Sequence, residues 1–293
     1  MNERVMTSPW ENVRWHEWDA MRCVAGDAEM IVGVSAGPRI LSLRWRGGPN
    51  LMHRDETHFG VGDWRMFGGH RLSLAPETPA SYLPDNAPCT VLMEGRQLMI
   101  ETTGDDGLRR TWTLTPWMDG DGFEVEHAVT NEGPQPWQGA LWAITCVGPQ
   151  GIIVSPCEEA EKILFADVPT DADACRQWNR QAGFVVTTPR GLRGKADWQS
   201  DGGWLALLRS DVTFMIQALE APCRSQNQPA TGNVEVFVCR EYLEMETLGA
   251  TVTLTPGERA DHRQRWRLLP GGLPPEQWSS LPFLHLPDFK RLS

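Results

Sequence analysis

The chain has 293 residues, with 27 Lys and Arg against 38 Asp and Glu, a formal net charge of -11. No basic surplus exists to neutralise phosphates, so a nucleic-acid or anionic-membrane partner is excluded and a neutral or weakly charged small ligand is favoured. Among the aromatics, 14 Trp stand against 9 Phe and 2 Tyr. Trp faces stack on the apolar faces of sugar rings, which leans toward a carbohydrate ligand, but most of these residues read as filling for a wide β core.

In chain order, residues 1–26 read as a loop with one strand near Val13 to Trp18. Met30 to Val34 and Arg39 to Trp45, split by Ala36-Gly37-Pro38, form a hairpin. Residues 51–66 are polar and irregular. Val91 to Glu101, Leu108 to Thr115, Phe123 to Asn131 and Trp137 to Val147 follow as short strands. The turns between them carry Asp-Gly pairs and Glu132-Gly133-Pro134, and Asp-Gly suits the φ > 0 of tight hairpins. Residues 156–200 break the rhythm, with a short helix predicted over Asp171 to Gln181, capped by Asp171, and a strand at Phe184 to Thr188. Strands return at Trp204 to Leu208, Val212 to Leu219, Val234 to Cys239, Tyr242 to Leu248, Thr251 to Leu254 and Arg263 to Leu269. Pro270 to Ser293 is proline-rich and reads as a surface tail. The pattern predicts an all-β protein, a large antiparallel β-sandwich. No linker divides it, so residues 1–293 read as one domain with irregular ends.

Seven cysteines, an odd number at wide spacing with no CxxC pair, indicate neither a disulfide framework nor a zinc site. Reduced thiols in a cytoplasmic compartment are the simplest reading. Met1 to Arg22 lacks the apolar core of a signal peptide. No apolar run approaches the roughly 20 residues of a membrane span.

Three stretches carry chemistry. Phe67-Gly68-Gly69-His70-Arg71 runs on to Ala75-Pro76-Glu77. The paired glycines allow close backbone approach, and the basic pair with an acid six residues on reads as a polar cluster at a strand edge. In the strand from Phe123, His127 shares the apolar side with Phe123, Val125 and Val129, the place of a core histidine. In Asn233 to Leu248, the apolar parity switches from Val234, Val236 and Val238 to Leu243 and Met245, which requires a turn or bulge near Arg240-Glu241. Beyond it, Tyr242, Glu244 and Glu246 share one face, and two carboxylates so spaced lie roughly 7 Å apart. If buried together, they repel and one pKa rises.

Taken in order, these pieces resemble the galactose-mutarotase-like superfamily, the aldose 1-epimerases among them. The resemblance rests on Gly68-Gly69-His70-Arg71-Leu72, on His127 to Gly133 with Ala140-Leu141-Trp142-Ala143, and on Tyr242-Leu243-Glu244-Met245-Glu246 with Leu254-Thr255-Pro256-Gly257. It implies a supersandwich fold and sugar chemistry without a cofactor or a metal. In that chemistry a carboxylate takes the proton of the anomeric hydroxyl and a histidine protonates the ring oxygen, each worth roughly 10²–10⁴-fold. Glu244 matches the place of the base. Trp142 stands where the resemblance puts the acid histidine, and an indole N–H donates a hydrogen bond but no proton at neutral pH.

Under the isomerase reading, Glu244 is the base and His70 the acid, with His127 as the other histidine candidate. Arg71, Glu77, Glu246, His127 and Trp142 then hold the substrate, Trp142 as a stacking floor. The alternative is a non-catalytic carbohydrate-binding or sensing protein on the same fold, motivated by Trp142. A metal-assisted enzyme built from His53, His58 and His70 matches no ligand spacing.

Overall fold

The computed structural model of the protein describes residues 8–16, 18–35, 37–55, 67–78, 88–157, 164–166, 172–200, 202–219 and 232–283. The first strands are β1 (Trp10–Trp15), β2 (Trp18–Ala25), β3 (Ala28–Gly33), β4 (Arg39–Trp45) and β5 (His70–Ala75). Next come β6 (Thr90–Glu94), β7 (Gln97–Thr103), β8 (Leu108–Pro116), β9 (Gly122–Asn131) and β10 (Trp137–Val147). The middle of the chain holds β11 (Ile152–Pro156), β12 (Leu164–Ala166), the one-turn helix α1 (Ala172–Cys175), β13 (Trp178–Gln181), β14 (Phe184–Thr187) and β15 (Gly194–Trp198). The last are β16 (Trp204–Leu208), β17 (Val212–Ala218), β18 (Val234–Val238), β19 (Leu243–Leu248), β20 (Val252–Leu254) and β21 (Arg259–Pro270). A 3-10 helix covers Pro275–Phe283.

These strands build two antiparallel sheets. The eleven-stranded sheet runs β1-β2-β3-β4-β5-β10-β19-β18-β15-β12, with β20 also paired to β10. The ten-stranded sheet runs β13-β14-β11-β16-β17-β21-β9-β8-β7-β6. Their apolar faces meet in one large core that holds Trp112, Trp198, Trp266, Phe123 and Phe214. Fully burying one such side chain is worth about 1.5–3 kcal/mol, so this interior carries most of the stability. Among the described residues ten tryptophans are buried, as a wide β core requires. No described helix is long and apolar enough to cross a membrane.

Four sequence expectations need correction. Residues 10–25 form two strands, not one, because His16 itself turns the chain with φ 54° where no Gly or Pro signals it. Val91 to Glu101 is a hairpin, folded at Gly95 with φ 56°. The predicted helix is only Ala172–Cys175, after which Trp178–Gln181 pairs with β14; the proposed cap Asp171 lies outside the described residues. The C-terminal stretch, through Phe283, is packed: Trp278 and Leu281 are buried against Phe184, Trp204 and Met215 on the outer side of the second sheet. Of the irregular stretch 51–66, residues 56–66 lie outside the described part. The parity switch after Val238 is a turn, with Val238 opposite Leu243 across it.

Candidate functional site

Strands β5, β10, β19, β18 and β15 lie side by side in the first sheet, and each is buried on both faces. Alternation therefore sends successive residues to two different environments. Thr145 pairs with both His70 and Met245 and faces the other sheet. Ile144 pairs with Arg71 on one side and Glu246 on the other, and Glu246 pairs with Glu235, all on the outer face. Cys146, Glu244 and Phe237 form the next row of that face. The paired glycines set this parity. Gly69 has φ 69°, and a Cβ there would meet the Ile40 carbonyl oxygen at 2.2 Å, so only glycine lets β5 start so close to β4.

His70 and His127 belong to the inner face. His70 Nδ1 lies 2.8 Å from Thr145 Oγ1, and its Nε2 lies 2.9 Å from His127 Nε2. His127 Nδ1 lies 3.2 Å from the His262 carbonyl oxygen. A carbonyl only accepts, so His127 carries its proton on Nδ1, and its Nε2 accepts from His70. His70 Nδ1 then accepts from the Thr145 hydroxyl. Both rings are neutral in this chain of bonds, and burial drives both pKa values down, that of His127 to about 3. The expectation that His70 meets Glu244 is therefore corrected: the two side chains leave the same sheet in opposite directions. His127, expected as the other histidine candidate, is fully buried in the core with it. The parity was readable, since Leu72 and Leu74 alternate in phase with His70.

The outer face gathers charge. Glu246 is fully buried; its Oε2 accepts from Trp142 Nε1 at 2.6 Å and from Lys195 Nζ at 3.0 Å. Lys195 Nζ also sits 2.6 Å from Glu235 Oε2 and 4.4 Å from the centre of the Trp142 ring. Trp142 is 5% exposed with Lys195 over it, so its ring supports the cation and is not an open stacking floor. The Cys146 thiol donates to Glu244 Oε1 at 3.3 Å. Burial first, and then the charge of Glu246, raises Glu244 to about 7 against the pull of Arg71. The same two causes raise Glu235 to about 8, with Lys195 opposing. Burial pulls Lys195 down, but Glu246 and Glu235 outweigh it and the net shift is upward. Two buried oxygens on this face, Glu246 Oε1 and Ser73 Oγ, have no N–H or hydroxyl partner among the described residues, while a protonated Glu235 lies within hydrogen-bond reach of Glu246. Buried polar atoms without partners are uncommon, and a bound ligand is one way of satisfying them.

At one end of the face, His53 stacks on Tyr242 with ring centres 4.9 Å apart, and Phe237 lies 5.8 Å from Tyr242. Glu77 is exposed beyond the end of β5. Of the metal-reading histidines, His53 is on the outer side, His70 is in the core and His58 lies outside the described residues. The fold thus brings Glu244, Glu246, Arg71 and Trp142 together and removes His70 and His127. It adds Lys195, Glu235, Tyr242 and Phe237. Glu235 was within reach of the sequence: counting pairs back from the turn at Arg240-Glu241 sets it opposite Glu246.

Solved structures share this architecture. A galactose mutarotase-like protein from Clostridium acetobutylicum is 9% identical, with 89% of this chain and 98% of that one covered at a TM-score of 0.55. One from Lactobacillus casei gives 9% identity, 89% and 100% coverage and the same TM-score. A TPR-domain containing protein from Parabacteroides distasonis is 12% identical at a TM-score of 0.61, with 94% of this chain covered; the chain spans about half, 51%, of its length. Curated proteins give no match. At these identities the likeness is one of fold, and the fold is the galactose mutarotase-like β-sandwich. Within that class, the chain belongs to the family described as a domain of unknown function, DUF4380, whose model matches residues 90–269.

Proposed function

We propose that the protein binds a monosaccharide or a derivative on the outer face of the first sheet and interconverts its anomers, as an aldose 1-epimerase-like isomerase. The observation that carries this reading is the gathering of Glu244, Glu246 and Arg71 on one face of a mutarotase-like fold, with the Glu244 carboxyl raised to about 7. A base with a pKa near the working pH is both ionised enough to act and basic enough to take a proton. Glu244 takes the proton of the anomeric hydroxyl, Arg71 holds ring hydroxyls, and Glu246 and Ser73 offer buried acceptors to others. Opening the ring also needs a proton at the ring oxygen. With both core histidines facing the other sheet, that proton comes from the outer face.

The test is the exchange rate between α and β anomers of common hexoses, followed by NMR. The wild type is expected to exceed the buffer rate, and Glu244→Gln to fall back by about 10²–10⁴-fold. A wild-type rate equal to that in buffer sinks the reading. The second reading, a sugar-binding protein without turnover, draws on Trp142, whose indole N–H is engaged with Glu246 and supplies no acid. Saturable quenching of Trp fluorescence by a sugar, with no anomer exchange, selects it.

A further inference from the structure

Resting on the isomerase reading, we propose that Glu235 is the catalytic acid of this site, so that a pair of glutamates does the work otherwise shared by a glutamate and a histidine. Glu235 lies on β18 directly opposite Glu246, and Glu244 is two residues along the neighbouring strand from that partner. Glu235 and Glu244 are therefore diagonal neighbours on one face, a relation that sets side chains roughly 7–8 Å apart. The anomeric hydroxyl and the ring oxygen of a sugar are bonded to the same carbon. Two O–H···O bonds of about 2.7 Å, one to each oxygen, reach across a gap of that size.

Glu246, between them, is unsuited to the part. It is 0% exposed and its Oε2 already accepts from Trp142 and Lys195. Glu235 retains 8% exposure. The groups facing Glu235 are Glu246 and Glu244 on β19 and Lys195 and Asp197 on β15. Burial first, and then the charge of Glu246 within hydrogen-bond reach, keep its proton on in the resting site against the pull of Lys195. Lys195 Nζ, 2.6 Å away, stabilises the carboxylate left when the proton departs. Two carboxyl groups driven to different roles by their surroundings is a known way of running acid and base chemistry at one pH.

The step balances. Glu244 carboxylate takes the hydroxyl proton, a C=O forms at the anomeric carbon, its bond to the ring oxygen breaks, and Glu235 delivers its proton to that oxygen. After rotation about the adjacent C–C bond, Glu235 carboxylate takes the proton back as the oxygen attacks the carbonyl. Glu244 then returns the first proton, and both groups are restored.

The experiment is anomer exchange of α-D-glucose and α-D-galactose by NMR from pH 5 to pH 10, with thermal melting alongside. The wild type is expected to give a bell whose acidic limb reports Glu244 and whose alkaline limb reports Glu235. Glu235→Gln, close in shape, is expected to lower the rate at least about 100-fold and to abolish the alkaline limb without lowering the melting temperature. Glu244→Gln is expected to abolish the acidic limb instead. A Glu235→Gln rate within threefold of wild type, alkaline limb retained, overturns the assignment of Glu235 and leaves the isomerase reading standing. Should that variant fail to fold, a wild-type profile without an alkaline limb overturns the assignment equally. No wild-type exchange above buffer overturns both.

Discussion

Two polar clusters occupy opposite faces of the same three strands, and they are built on opposite rules. On the inner face, His70, His127, Thr145, Thr247, His262, Gln264 and Trp266 are linked by hydrogen bonds of 2.7 to 3.2 Å between the sheets. Both ring nitrogens of His70 and of His127 have partners, and the proton order along them is fixed. On the outer face, Glu235 and Glu246 both contact Lys195 with Glu244 in the next row, the Glu235 and Glu244 pKa values stand well above the usual carboxylate range, and Ser73 Oγ lacks a hydrogen-bond partner among the described residues. A network whose proton order is set specifies a structure, whereas crowded carboxyls with raised pKa values store the means to respond to a ligand. Histidine content alone would have placed the proposed chemistry on the inner face.

The largest effect that sharpens this contrast is Glu244→Gln, expected to cost about 10²–10⁴ in anomer exchange by NMR while the melting temperature holds. The inner counterpart is His70→Ala. It is expected to cost about 3–5 kcal/mol by urea unfolding, from a cavity in a packed core and from leaving Thr145 Oγ1 and His127 Nε2 without their partner. If His70→Ala unfolds no more easily than wild type, the inner cluster is not the structural element described.

The two clusters also answer pH with opposite signs. Burial holds the His127 pKa at about 3, against an ordinary 6.5, with the charge of His262 adding to it. Below about 6.5 the unfolded chain gains protons that the native ring refuses, so this part of the stability is lost as pH falls. Glu244 and Glu235 are raised from 4.5 to about 7 and about 8, by burial and then by Glu246. From about 4.5 upward the unfolded chain releases protons that the native carboxyls keep, so stability falls as pH climbs toward 8. Urea midpoints from pH 4 to pH 9 are expected to bend down at both ends, and Glu235→Gln to flatten only the alkaline decline. A decline that survives in Glu235→Gln and Glu244→Gln alike would break the assignment.

Smaller effects come from the supports. Trp142→Phe keeps the ring and removes the indole N–H from Glu246; it is expected to cost about 1.5–3 kcal/mol by the same unfolding measurement. Cys146→Ala removes the thiol that donates to Glu244. It is expected to move the acidic limb of the rate profile upward with little change in maximal rate, because that hydrogen bond favours the ionised carboxylate.

Much of the sandwich was legible because its strands alternate and its turns carry Asp-Gly or Gly-Pro. The hairpin at His16 had no such residue, and the run from Val91 to Glu101 turned at a lone Gly95 between Glu94 and Arg96, without the Asp-Gly pair of the other turns. Between residues 152 and 198 the strand at Phe184 was read, but β11 and β15 were not, because they are short and mostly buried on both sides, which erases the alternation that identifies a strand. The site was half legible for related reasons. Glu244 and Glu246 announced their shared face by spacing. Arg71 and His70 were treated as a unit because they are adjacent, although adjacency in a strand separates side chains. Lys195 lies on β15, and no local pattern ties it to Glu246, 51 residues away.

The dipeptides His70-Arg71, Thr145-Cys146 and Glu246-Thr247 each hand one side chain to the dry interior and one to the exterior. A slip of one residue in any of these strands would exchange the two, setting a carboxylate between the sheets or a histidine on the outer face. The frame in which β5, β10 and β19 hydrogen-bond is therefore the quantity that keeps the molecule's architecture and its proposed reactivity from trading places.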